Sequence, residues 1–315
     1  MHPLHIYTEG DQQRGLGHLT RCSAYAKTWE DAGGKVIWYV DGDHLAEKQL
    51  NTQHVIFAKW QTSFTATPKQ NAIALVDSYS APLELYQHVS NKYCKAVFLD
   101  DTYRLEYPAG LVIHAAPGVI KNMQGCATWV YGPKWQPLRP AFWDISKRTI
   151  INEEVKNILV MLGGTDIHNM TSCILELTRK HYPLAHIHII TITQVSIDNK
   201  CTQYSFLSAE NIAELMTKCD LAVSAAGQTI YELAATGTPA ILICTAENQK
   251  IQINGWNEFS CFHYAGKWSD KDILKNISTK LERLKDISLR RSDCSKLQNI
   301  VDGLGTKRWL EWMNS

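Results

Sequence analysis

Apolar positions in this chain fall into short runs separated by helical patterns, most regularly over its first 115 residues. Leu4-His5-Ile6-Tyr7-Thr8 predicts a buried strand. From His18 to Ala32 apolar and small residues recur at helical spacing, and Gly33-Gly34 stops that helix before the strand Lys35-Val36-Ile37-Trp38-Tyr39-Val40. Strand, helix and strand make a βαβ unit. Further runs stand at Val55-Ile56-Phe57, Ala72-Ile73-Ala74-Leu75-Val76, Ala96-Val97-Phe98-Leu99 and Leu111-Val112-Ile113, with a helical pattern from Leu83 to Val89. The pattern predicts a parallel sheet. Between Tyr131 and Ile151 the period is lost, and Pro133, Pro137 and Pro140 mark an ordered connector. Residues 1–151 are expected as one domain and 152–315 as a second.

The second half repeats the design. Asn157-Ile158-Leu159-Val160-Met161 predicts a strand, and a helix is expected from about Asn169 to His181. His186 to Thr193 reads as a strand, Asn211 to Met216 as a short amphipathic helix, and Leu221-Ala222-Val223-Ser224 and Pro239 to Cys244 as further strands. Asp270 to Ser315 is largely helical and can cross back to the first domain.

Composition narrows the class. A chain of 315 residues is long enough for two domains of roughly 150 residues, each with its own core. The net charge of +1 is spread without a basic stripe, so no nucleic-acid partner is expected. Nine cysteines lie scattered with no Cys-x-x-Cys, which speaks against a disulfide framework and a structural zinc site. A cytoplasmic protein follows. No apolar run approaches the length of a membrane span, and the first strand starts within four residues, which leaves no room for a signal peptide.

The candidate chemistry lies in three glycine turns that follow strands. Gly15-Leu16-Gly17-His18 opens the first helix, where helix-start amides and the dipole favour negative charge. Thr20 stands where the dinucleotide fingerprint wants a third glycine, which counts against a nicotinamide or flavin cofactor. His18 reads either as a capping or packing residue or as a proton acceptor, since the positive end of the dipole disfavours imidazolium. Asp77-Ser78-Tyr79, Asp100-Asp101-Thr102 and His114 each follow a run, where an open parallel sheet places its ligand crevice. Asp77 and Asp101 read equally as N-caps of the helices behind them. Asp100 and Asp101 are poorly placed to share magnesium, because neighbouring strand residues point opposite ways. Gly163-Gly164-Thr165-Asp166 forms the second turn, and Ala226-Gly227-Gln228-Thr229 leads into a helix that carries Glu232. Glycine amides there can approach a diphosphate, and Glu232 is either a ribose ligand or a surface carboxylate that suits the dipole. Asn248-Gln249 offers two amides to sugar hydroxyls.

Taken together, Gly15-x-Gly17-His18-x-x-Arg21, Asp77-x-Tyr79, Gly163-Gly164-Thr165-Asp166, Asn211-x-x-x-x-Met216, Ser224-x-x-Gly227-x-Thr229-x-x-Glu232 and Asn248-Gln249 resemble one family in order and spacing. The connector motif Gly132-x-x-Trp135-x-x-Leu138-Arg139-x-x-Phe142 belongs to the same likeness, which runs from about residue 6 to residue 265. The family is the UDP-sugar hydrolases of pseudaminic acid biosynthesis, the PseG type, related to the MurG-type glycosyltransferases. The resemblance implies a GT-B fold of two Rossmann-like doubly wound α/β domains with the active site in the cleft between them. It implies metal-independent, cofactor-free hydrolysis of UDP-2,4-diacetamido-2,4,6-trideoxy-β-L-altrose by a monomer. Carried over by position, His18 activates water and Asp77 and Tyr79 lie beside the sugar, while Gly15, Gly17, Arg21 and Gly163 to Asp166 line the substrate. Ala226 to Thr229 hold the diphosphate, Glu232 the ribose and Asn248-Gln249 the sugar side. The chain departs from the family at Thr8-Glu9-Gly10, where arginine and aspartate are usual, and at His114, where asparagine is usual. Both are sugar-side positions, so they bear on which sugar is taken. A glycosyltransferase of the same fold is the alternative, and a nucleotide-sugar-binding regulator is the non-enzymatic one.

Overall fold

The computed structural model describes residues 1–50, 54–62, 69–118, 125–163 and 166–315. Two compact units divide the chain: Met1–Pro140 with Leu304–Ser315, and Ala141–Gly303.

The first unit is a parallel sheet with helices on both faces. In chain order it contains β1 (Leu4–Gly10), α1 (Gly17–Asp31), β2 (Val36–Gly42), α2 (His44–Leu50), β3 (Val55–Phe57), β4 (Lys69–Asp77), α3 (Leu83–Lys92), β5 (Tyr93–Leu99), β6 (Leu111–His114) and β7 (Thr128–Tyr131). Its seven strands run in the order β3-β2-β1-β4-β5-β6-β7, every pairing parallel. Alternation along β1 sends Leu4 and Ile6 to one core and Tyr7 to the other, so the strand is apolar on both faces. On the first face α1 buries Leu19, Cys22, Tyr25, Ala26 and Trp29, spaced three and four apart. On the second, α3 contributes Leu85, Tyr86 and Val89.

The second unit follows the same logic with β8 (Asn157–Met161), α4 (Thr171–His181), β9 (His186–Ile190), β10 (Cys201–Tyr204), α5 (Ala209–Lys218), β11 (Leu221–Ala225), α6 (Thr229–Ala235), β12 (Ala240–Cys244), α7 (Lys250–Phe259), β13 (His263–Lys267), α8 (Ile273–Arg283) and α9 (Ile287–Ile300). Its six strands run β10-β9-β8-β11-β12-β13, again all parallel. Ile158, Val160, Leu221, Val223, Ile241 and Ile243 form its core with Ile174 of α4 and Ile277 and Leu281 of α8.

The units divide at 140/141 rather than at the expected 151/152, and side-chain contacts give the reason. Arg148 donates to the carbonyl oxygens of Met216 (2.9 Å), Thr217 (2.7 Å) and Cys219 (2.7 Å), closing the C-terminal end of α5 and tying the connector to the second unit. The last helix, α10 (Gly305–Asn314), returns to the first unit, where Trp309 packs against Tyr25 (5.0 Å between ring centroids) and Trp29 (5.4 Å). Of the tail, α8 and α9 thus stay with the second unit, and residues Leu304–Ser315 belong to the first.

Candidate active site

The C-terminal ends of β1, β4 and β5 place one polar cluster around the start of α1. Gly15, at φ 78°, lets the chain turn from β1 into the helix, and a Cβ at Gly15 or Gly17 would meet no atom within 4 Å. His18 sits on the first turn, its Nδ1 2.7 Å from Oδ1 of Asp77, the last residue of β4. Asp77 is fully buried. Burial alone would favour its protonated form, but the Arg21 guanidinium, then His18, hold the carboxyl well below the usual range. An ionised Asp77 accepts only, so Nδ1 of His18 carries the hydrogen and donates it. The 3.0 Å approach of Arg21 Nη2 to that same Nδ1 is then proximity without a hydrogen bond. Nε2 of His18 is left with the lone pair.

Arg21 gives both Nε and Nη2 to the two oxygens of Asp77 and Nη1 to Asp101 (3.1 Å). Expected to line the substrate, it is buried and bound to two carboxylates. Asp77, expected beside the sugar, bonds to His18 and fixes that ring. Neither Asp77 nor Asp101 caps a helix; α3 starts after Pro82 without a side-chain cap. Asp101 accepts from the Tyr79 hydroxyl (2.7 Å), and the Tyr79 ring stands edge-on to His18 at 4.5 Å. Asp100 turns the other way, taking the amides of Thr102 (2.6 Å), Tyr103 (2.9 Å) and Arg104 (3.0 Å). It holds its own loop. Among the described residues no three His, Cys, Asp or Glu side chains group as metal ligands.

The departures from the family motif are not open positions. His114 is buried and stacked on Tyr103 at 4.0 Å. Thr8 and Glu9 are buried at the end of β1, and Glu9 accepts from the Tyr79 amide (2.8 Å), Ser78 Oγ (2.9 Å), Gln61 Nε2 (2.9 Å) and Ser80 Oγ. Burial opposes its ionisation, but the hydrogen bonds from Ser80, the Tyr79 amide, Gln61 and Ser78 keep its carboxyl below the usual range. Glu9 and Asp101 belong to the cluster as well; the sequence put Glu9 on the sugar side and Asp101 at the crevice but gave neither a role. The signal was available for Glu9: an acidic residue closing an apolar run, the feature that drew attention to Asp77.

In the second unit the structure brings two of the three expected groups together. Ala226 to Thr229 leave β11 and enter α6, with Gln228 at the helix cap and Glu232 buried in its first turn. A Cβ at Gly227 would lie 3.8 Å from Gln249 Nε2, so that turn and the 3₁₀ turn Glu247–Gln249 are neighbours. Gln249 is held through Oε1 by the Thr245 amide (2.8 Å). Gly163 follows β8 at φ 98°. Asp166, expected to touch substrate, accepts the amides of Met170 (3.0 Å) and Thr171 (2.9 Å) and closes the start of α4. Gly164 and Thr165 lie outside the described residues, as does the Asn248 side chain. His168, unremarked in the sequence, donates from Nε2 to the Thr245 carbonyl (2.9 Å) and stacks on Trp268 at 3.7 Å.

No helix among the described residues is long and apolar enough to cross a membrane. Residues 157–302 match the profile of the glycosyltransferase family 28 C-terminal domain. The chain is 26% identical over 267 residues to the pseudaminic acid cytidylyltransferase and UDP-2,4-diacetamido-2,4,6-trideoxy-beta-L-altropyranose hydrolase of Helicobacter pylori, covering 82% of this chain and 48% of that protein. It is 24% identical over 271 residues to an uncharacterized protein of Methanocaldococcus jannaschii, covering 78% of this chain and 56% of the relative. The chain thus spans about half the length of these two curated relatives. Among solved structures, MurG of Acinetobacter baumannii aligns over 100% of this chain and 99% of its own at a TM-score of 0.68 and 12% identity, a likeness of fold alone. The chain thus has the GT-B architecture, residues 157–302 match the family 28 C-terminal domain, and the chain is similar to a protein whose name includes a UDP-sugar hydrolase activity.

Proposed function

We propose that the chain hydrolyses a UDP-activated amino sugar to UDP and the free sugar, with His18 as general base. The observation that carries this reading is the His18–Asp77 pair: a 2.7 Å contact to a buried carboxylate fixes the hydrogen on Nδ1 and leaves Nε2 to take a proton. Expelling UDP needs little acid help, because a diphosphate is a good leaving group. What water lacks at neutral pH is nucleophilicity, which a positioned base supplies. Water oxygen bonds to the anomeric carbon as the bond from that carbon to the diphosphate oxygen breaks. The electron pair leaves with UDP, the water proton passes to Nε2 of His18, and Asp77 stabilises the imidazolium that forms. Attack opposite the departing UDP inverts the centre.

In this reading Gly227, Gln228 and Thr229 hold the diphosphate, Glu232 the ribose and Asn248-Gln249 the sugar side, and no metal takes part. The substrate named for the Helicobacter relative, UDP-2,4-diacetamido-2,4,6-trideoxy-β-L-altropyranose, is the first candidate. A transferase of the same fold is the second reading, favoured by the family 28 match. The two differ in the nucleophile. The test is a panel of UDP-sugars with purified protein and EDTA, no acceptor present. Equal release of UDP and free sugar is expected, and His18→Asn is expected to lower turnover by about 100- to 10,000-fold with UDP affinity unchanged. UDP release that appears only with an added hydroxyl acceptor replaces the hydrolase by the transferase, and a requirement for magnesium removes the metal-free mechanism. Full turnover in a folded His18→Asn protein overturns the base.

A further inference from the structure

The turn after β4, residues 78–81, is held on its amide and hydroxyl side by one carboxylate of the neighbouring strand, while Arg104 and Tyr86 donate to the carbonyl oxygens of Ser78 and Ala81. Glu9 Oε1 accepts the Tyr79 amide at 2.8 Å; Oε2 accepts Ser78 Oγ (2.9 Å), Gln61 Nε2 (2.9 Å), Arg14 Nη1 (3.3 Å) and Ser80 Oγ. Ser78 Oγ accepts in turn from the amides of Ser80 (3.1 Å) and Ala81 (3.0 Å). Tyr79 is therefore fixed twice. Glu9 holds its backbone, while Asp101 takes its hydroxyl (2.7 Å) and binds Arg21, the guanidinium that also holds Asp77. Between those anchors the Tyr79 ring forms the edge-on wall beside His18, 4.5 Å away.

We propose that Glu9 is a positioning residue of this site: it touches no substrate, but by holding the 78–81 turn it sets the Tyr79 ring against His18. The chemistry requires a carboxylate at both ends. The Tyr79 amide on Oε1 and the Arg14 guanidinium on Oε2 can only donate, so a glutamine in either orientation turns its own NH₂ towards a donor. Glu9→Gln preserves volume and breaks this match, which makes it the informative substitution. The catalytic arm of the inference rests on the hydrolase reading; the positional arm does not.

Two measurements on the full chain test it. In amide hydrogen exchange, Glu9→Gln is expected to speed exchange at Tyr79 by about tenfold or more while the interior of β1 and β4 stays protected. In UDP-sugar hydrolysis, it is expected to lower kcat roughly 10- to 100-fold with UDP affinity unchanged within about twofold, and to add less than about threefold in a Tyr79→Ala background. Unchanged exchange at Tyr79 overturns the proposal, and so does an equal loss of kcat in both backgrounds, since a Glu9 effect that bypasses Tyr79 is not positioning of that ring. Should Glu9→Gln fail to fold, Ser78→Ala removes one of the Glu9 bonds and both acceptor bonds of the turn, and it carries the same two readouts. A wild-type protein that releases no UDP from any UDP-sugar sinks the hydrolase reading alone, and the exchange result then decides the positioning by itself.

Discussion

A histidine acquires a definite role only when something decides which of its nitrogens carries the hydrogen. Asp77 decides it here, from 59 positions along the chain, and Arg21 keeps Asp77 ionised so that the decision holds. Asp77→Asn is isosteric but removes the charge, and its amide can present NH₂ to Nδ1, which would move the hydrogen to Nε2 and leave no base. Turnover is expected to fall by roughly 1,000- to 10,000-fold, with UDP affinity unchanged. The same substitution leaves the buried Arg21 with Asp101 as its one carboxylate partner and is expected to lower stability, so turnover is measured well below the unfolding temperature of the variant. Turnover near wild type would show that the tautomer is set elsewhere. Candidate positions were legible: His18 at a helix start and Asp77 and Tyr79 after a strand were named from position, and their roles from the family resemblance. Their contacts were not legible, because whether a carboxylate caps a helix, faces a ligand or backs a histidine depends on side chains remote in sequence. The partners of Asp166, Arg21 and Glu9 could not be read for that reason.

At the scale of elements, legibility followed burial on two faces. Strands inside a parallel sheet, such as β1 and β11, are buried along their whole length because helices cover both sides, and each carries an apolar run. Of the four edge strands among the described residues only β3 was read as a run, although it is mostly exposed. β7, β10 and β13 all lie at sheet edges and were not anticipated; in β13, His263-Tyr264-Ala265-Gly266-Lys267, only Ala265 and Gly266 are buried. The last helix shows the complementary limit. The tail was read as largely helical and able to cross back to the first domain, but nothing local says which core the apolar face of α10 enters. Trp309 enters the first unit, completely buried against Tyr25 and Trp29. Trp309→Ala is therefore expected to cost about 3–5 kcal/mol and to act on the first unit, though the residue follows the second in sequence. Urea unfolding followed by hydrogen exchange checks this: loss of protection in β1 and α1 with β8 and β11 unchanged is the expected outcome, and the reverse would place α10 with the other core.

For the whole molecule, the doubly wound pattern of two parallel sheets was read from the runs and glycine turns, while the division of the chain was not, because the connector has no period and its attachment rests on single side chains such as Arg148. The two units also carry different titrating groups, which makes acid a test of their separate stability. In the second unit His188 is buried between Asn157 and Tyr204, and burial, then His186 and Lys218, push its pKa down from 6.5 to about 4. The unfolded chain thus binds the extra proton first, so the stability this neutral ring gives is complete above about pH 6.5 and lost as pH falls from there towards 4, on the order of 3 kcal/mol. The first unit depends on Asp77 and Glu9, whose carboxyls are held below their usual 3.8 and 4.5. Its contribution is intact above those values and lost only below them. Between pH 6.5 and 4.5 the second unit is therefore expected to weaken while the first does not. Equilibration in urea at pH 7 and at pH 5, each followed by a hydrogen-exchange pulse corrected for intrinsic rate, reads both units at once. The urea midpoint of β9 should fall at pH 5 while that of β1 stays, and His188→Gln should remove most of the pH dependence whatever its effect on absolute stability. A β9 midpoint that does not move between the two pH values, or a dependence that survives His188→Gln, would assign the acid sensitivity of the fold to other groups.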